Sequence, residues 1–138
     1  MRNIQQAPSS NVRSDPPTLI VVNQVSVLPS GTAYVGSFIE LWEWGVVVRM
    51  VGLADGFVRQ MLDLQLELRD DAGGRYEWRT ATSGGMVLPE EVMLAFDGRP
   101  SESARVLQLL VAASGDVLVS AHICRFEDDG QPPASDQR

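Results

Sequence analysis

His122 and Cys124 are the only histidine and the only cysteine of this 138-residue chain. They stand two positions apart in the run Val117–Arg125. If that run is a strand, both side chains point to one face. A thiol beside an imidazole is the start of a metal site or of an activated nucleophile. The remaining parts are missing from the sequence. Blue copper takes two histidines with its cysteine, and tetrahedral zinc would need two further ligands, here carboxylates. No serine is marked as a partner for His122. Nucleophile-elbow, phosphate-loop and dinucleotide-binding patterns are absent. All eleven basic residues are arginine, which excludes a lysine Schiff base and a phosphate-loop lysine. His122 and Cys124 are expected to be ordinary strand residues, the cysteine acting as a small apolar group. No catalytic residue, metal or cofactor is expected.

Three acid pairs could also do chemistry. Asp70 and Asp71 precede two glycines and could hold calcium with backbone oxygens. The spacing is not that of an EF-hand loop, which needs carboxylates at alternate positions and a closing glutamate. Aspartate and glycine suit a turn by geometry alone, and a turn is expected. Glu40/Glu43 and Glu90/Glu91 could serve glycoside hydrolysis only if two carboxyls flank a cleft, about 5–9 Å apart. On an acidic chain they are expected to be exposed acids. Trp42, Trp44, Tyr76 and Trp78 are the aromatic resource. They could stack on sugar rings, anchor a protein interface or fill the core. Trp44, placed in a turn, is the one expected to be exposed.

Such residues must be positioned by strands. In MLDLQLELRD, Leu62, Leu64, Leu66 and Leu68 alternate with Asp63, Gln65, Glu67 and Arg69, the period-two pattern of a half-buried strand. The leucines are expected to face the core. DDAGG then makes a turn, and RYEWRTAT follows with Tyr76, Trp78 and Thr80 on one face; together these read as a hairpin. A second hairpin joins Arg105–Ala112 to Val117–Arg125 through Ser114-Gly115-Asp116. A third lies in SFIELWEWGVVVRMV, turning through Glu43-Trp44-Gly45. VMLAFDG is a further strand with Val92, Leu94 and Phe96 on one face, and Val21–Val27 suits an edge strand. No long helical pattern is found; Pro89–Val92 could start at most a turn. About seven or eight short strands over roughly 100 residues predict an all-β, immunoglobulin-like antiparallel sandwich. A small β-barrel is the alternative, which periodicity does not separate.

This order of elements resembles the small immunoglobulin-like sandwich domains found in many bacterial, especially actinobacterial, proteins, mostly of unknown function. The resemblance runs over about residues 36–111. It rests on Asp70-Asp71-Ala72-Gly73-Gly74-Arg75-Tyr76, on the Ile39–Trp42 and Val46–Arg49 strands before it, and on Gly84-Gly85, Phe96 and Ala104–Leu109 after it. Where the family often has Asp-Gly in its first tight turn, this chain has Trp44-Gly45. The resemblance implies the fold and no activity.

Composition sets the outer bounds. The net charge is −7, and no arginine cluster offsets it, which argues against nucleic acid and anionic membranes as partners. A single cysteine allows no internal disulfide. No signal peptide of ordinary form opens the chain, and no apolar run reaches the roughly 18 residues of a membrane span. A cytoplasmic location is expected. Residues 1–17 and 127–138 are polar and proline-bearing and are expected to be disordered tails, around a domain over 18–126. Within that domain the Ser37–Val51 hairpin offers apolar residues on both faces, whereas a sandwich has one core face per sheet. Self-association or a protein partner is therefore expected to cover part of it, with Trp42, Trp44 and Val47 at the interface. The function expected is that of a non-enzymatic interaction or structural module. The alternative is a ligand-binding module, for sugar through the aromatics or for metal through His122 and Cys124.

Overall fold

The computed structural model describes residues 15–84 and 89–123. The expected tails, apart from residues 15–17, lie outside the described residues, as does Cys124. Among the described residues, eight strands and one short helix follow in chain order. They are β1 (Thr18–Val27), β2 (Ala33–Leu41), β3 (Gly45–Gly52), α1 (Phe57–Leu62), β4 (Leu66–Asp70), β5 (Glu77–Gly84), β6 (Glu90–Asp97), β7 (Val106–Val111) and β8 (Val117–His122).

The strands form two antiparallel sheets. The first has the order β1-β2-β3-β6-β5, the second β4-β7-β8. The sheets do not close on each other, so the chain is a sandwich and not a barrel. With β2 to β8 lettered A to G, the sheets are A-B-E-D and C-F-G, the arrangement of a constant-type immunoglobulin domain. β1 is an addition, paired antiparallel along β2. It forms one edge of the first sheet, the place the sequence suggested.

Alternation sets the core. Val46, Val48 and Met50 of β3 and Val92, Leu94 and Phe96 of β6 point inward. They meet Leu68 of β4, Leu107, Leu109 and Val111 of β7, and Val119 and Ala121 of β8. Tyr34 of β2 is fully buried, and its hydroxyl donates to the Leu118 carbonyl of the opposite sheet at 2.7 Å. The β7–β8 register slips between Leu109 and Leu110, which leaves Leu118 without a ladder partner on β7. The slip supplies the acceptor that Tyr34 needs.

Three expectations are corrected. Leu62 does not begin a strand: it ends α1 and is 51% exposed. Phe57 and Met61, four apart, are the helix residues that reach the core. The Glu90 carboxylate, on β6, accepts from the Gly56 and Val58 amides at 3.0 and 2.9 Å and so caps the first turn. That cap comes from over thirty residues away, which no local pattern reveals. Gly52 makes room for the helix, because a β-carbon there would overlap the Phe57 side chain. Alternation is real from Leu64 onward, with Leu68 buried and Asp63, Gln65, Glu67 and Arg69 exposed.

Second, the segments on either side of DDAGG are not a hairpin. β4 belongs to the three-stranded sheet and β5 to the five-stranded one. Among the described residues, their backbone pairing is limited to an isolated bridge, Arg69 to Arg75. Third, Trp78 and Thr80 do not share a face. The β5–β6 register shifts between them, so Trp78 pairs with inward Phe96 and Thr80 with outward Ala95. No helix starts at Pro89–Val92, where β6 begins at Glu90.

Candidate interaction face

The acid pairs are occupied by the fold. Asp70 Oδ1 accepts from the amides of Ala72 and Gly74, both at 2.8 Å, and its Oδ2 from the Tyr76 hydroxyl. Burial pushes the Asp70 carboxyl up, but the bonds from Tyr76, Gly74 and Ala72 outweigh it and hold it below the usual range. Asp71 accepts from the amides of Arg105 and Val106, which lowers it also. The Asp-Asp-x-Gly-x-x-Tyr string thus turns the chain between sheets and ties that turn to β7. Glu90 is lowered by the Val58 and Gly56 amides it caps. Glu91 lies exposed on β6, and Glu43 lies in the β2–β3 turn. His122 is exposed at the end of β8. Among the described residues, no three His, Cys, Asp or Glu side chains gather around one point.

The two outer faces of the sandwich differ in degree. On the three-stranded sheet, register and alternation place Glu67, Arg69, Gln108, Ser120 and His122 outward together with Val106, Leu110 and Val117, a mixed surface with a polar majority. The five-stranded sheet is different. Its cross-strand rows over β1, β2, β3 and β6 run Leu19–Glu40–Val47–Ala95, Val21–Phe38–Arg49–Met93 and Val25–Val35–Val51–Glu91. Apolar residues dominate all three over these strands, and β5 extends the rows with Thr80, Thr82 and Gly84. Ile20 and Tyr34 mark the core side of β1 and β2, so Leu19, Val21, Val25 and Val27 point away from it. These four are 57–76% exposed.

The residues singled out from sequence lie on this sheet, but unequally. Val47 faces outward between inward Val46 and Val48, yet its neighbours cover it to 8% exposure. Trp42 is half-buried and donates from its indole to Glu40 Oε1 at 2.8 Å. Glu40 is only 7% exposed, and its other oxygen takes the Arg49 guanidinium at 2.7 Å. The Arg49 guanidinium also lies 5.5 Å from the centre of the Phe38 ring. Trp44, in the β2–β3 turn, is 41% exposed and stacks on Trp42 with ring centres 6.5 Å apart. Arg79 lies 4.8 Å over the Trp44 ring and pairs with Asp97 at 2.9 Å. Arg79 is the extra residue of the β5 register shift, and that bulge frees it from the ladder to reach Trp44.

Sequence reasoning missed the apolar stripe on β1. The signal was present: TLIVVNQVSV is apolar at successive positions, hence on both faces, and carries no charge. It missed Arg79 as well, and there no local signal exists, since a register shift places it. Trp78 packs edge-on against Phe96 at 5.6 Å yet is 48% exposed. It lines an open groove of about 400 Å³ with Met61, Leu62, Leu64 and Leu66; among the described residues Gln65 and the Trp78 indole supply the polar side-chain groups there.

Among the described residues, no helix is long and apolar enough to cross a membrane. Comparison with family models, with curated proteins and with solved structures finds no match.

Proposed function

We propose that this chain is a non-enzymatic, immunoglobulin-type interaction module that works through the outer face of its five-stranded sheet. One observation carries this: over β1, β2 and β3 the sheet is apolar on both sides. Its inner face makes the core with the second sheet, so the outer apolar stripe contributes nothing to that core. Large contiguous apolar surface on a folded domain usually marks an interaction site. The second sheet, built in the same chain, mixes Val106, Leu110 and Val117 among five polar outward residues.

Sugar binding finds less support. Trp44 already has Trp42 on one side in sheet order and Arg79 on the other, and among the described residues the Trp78 groove offers only Gln65 and the Trp78 indole as polar side-chain groups. Sugar sites need several convergent hydrogen-bonding groups. The likeness to small bacterial immunoglobulin-like domains fits the module reading and adds no activity to it.

The test is site-specific photo-crosslinking in the source cells. A photoreactive residue at Val21 is expected to give a discrete adduct, and one at Glu67, on the other sheet, none. Absence of an adduct from Val21, or an equal adduct from Glu67, would overturn the proposal.

A further inference from the structure

We infer that the occupant of this face is a second copy of the chain, packed sheet on sheet and centred on β1 and not on the tryptophan corner. The inference rests on the interaction-module reading. Charge selects the occupant. The chain carries −7, so two copies meeting through most of the surface bring acid against acid. The β1–β2–β3 part of the outer face avoids this. From Thr18 to Val27 there is no ionisable residue, and on the outward positions of β2 and β3 the charged groups are Glu40 and Arg49. These two are bonded to each other, and the carboxylate is already buried. Covering the patch therefore brings no net charge into contact and strips little further water from a charge. A self-complementary face is what a two-fold dimer requires.

Geometry selects face over edge. β1 is an edge strand and could in principle pair with its own copy. Its register with β2 shifts between Val21 and Gln24, and Asn23 there adopts a left-handed φ of 50°. A bulge in the middle of an edge strand breaks the row of amides that strand addition would need. Leu19 and Val21 before the bulge, and Val25 and Val27 after it, still point outward together. The stripe remains continuous as a face while interrupted as an edge. Trp44 belongs to the other half of the sheet, held by Arg79, where Asp97 and Glu77 stand in one row and would face their own copies.

Sedimentation equilibrium on the full-length chain tests this. The wild type is expected to dimerise with a Kd of about 10 μM or tighter, the range of modest specific interfaces. The double substitution Val21→Glu/Val25→Glu should abolish the dimer up to about 100 μM, at least a tenfold weakening. Val27→Arg, at the far end of the stripe, should weaken it independently, so one misfolded variant would not decide the matter. Trp44→Ala should leave Kd within about threefold. A wild type that is monomeric at about 100 μM would overturn the second-copy inference. The module proposal would then still stand if crosslinks from Val21 reach a different protein, and fall if they reach none. A dimer indifferent to the β1 substitutions, or one dissolved by Trp44→Ala alone, would also overturn it.

Discussion

Replacing Tyr34 by Phe removes one buried hydroxyl that joins the two sheets. The Tyr34 ring is fully buried and stacks on Phe57 with centres 5.8 Å apart. Phenylalanine keeps the ring, so the stacking and apolar burial remain. What is lost is the 2.7 Å bond to the Leu118 carbonyl, together with the bond that the Ser26 side chain makes to the same hydroxyl. That carbonyl belongs to a residue the β7–β8 ladder skips, so its partner is not replaced by a neighbouring strand. Leaving a buried acceptor unsatisfied costs about 1–3 kcal/mol. For a domain near 100 residues this is a fall of roughly 5–15 °C in thermal midpoint. The assay is guanidinium denaturation, where the midpoint should drop at unchanged slope. Burial also pushes the Tyr34 hydroxyl above the usual tyrosine range. An alkaline titration should therefore lose its late phase in the variant. A loss under about 0.5 kcal/mol would refute the reasoning, because it would mean that water or another donor already serves Leu118.

Other outcomes follow from the same structure. Leu68→Ala should cost about 2–5 kcal/mol in denaturant, as for any buried leucine, while Leu62→Ala, exposed at the end of α1, should cost well under about 1 kcal/mol; equal losses would restore a single strand across both. Gly52→Ala should destabilise by more than about 1 kcal/mol, because Phe57 must move aside, and the loss should shrink when Phe57→Leu is added; a neutral Gly52→Ala would place Phe57 elsewhere. Asp70, Asp71 and Glu90 are all held below the usual carboxylate range. Depressed acids bind fewer protons folded than unfolded, so the stability they add is complete above the unfolded values, about pH 4–4.5. It should be lost progressively as pH falls through that range and below. A Glu90→Gln variant should show a shallower acid loss in urea midpoints measured against pH; an unchanged profile would remove Glu90 from its capping role.

Much of this was legible in the sequence, and the misses share a cause. The hairpins around Glu43–Gly45 and Ser114–Asp116 and the inward face of Val92, Leu94 and Phe96 follow from period-two alternation, a local property. So does the two-sided apolar character of Val46–Val51, from which an exposed face was inferred. What failed depended on distant residues. The helix at Phe57–Leu62 needs Glu90 as its cap and Gly52 as its seat. The crossing from β4 to β5 depends on Asp71 reaching the amides of Arg105 and Val106. Bulges at Asn23 and Arg79 change register without changing composition, so the splitting of β1 and the aim of Arg79 onto Trp44 could not be read from pattern. Val47 shows the converse: its outward direction was readable, but its burial comes from neighbours on adjacent strands.

The claim that a second copy of the chain covers the outer face of the five-stranded sheet meets its most direct test in thiol labelling. Cys124 is the sole cysteine; replaced by serine, it leaves a background in which Val25→Cys reports on the stripe and Glu67→Cys on the opposite face. With protein raised from about 0.1 to 100 μM, labelling of Val25→Cys should slow at least about fivefold as copies associate, while Glu67→Cys should react at a constant rate. Fast labelling of Val25→Cys at every concentration would contradict the account. So would slow labelling at a concentration where sedimentation shows the monomer, which would mean that the chain covers this face with its own residues.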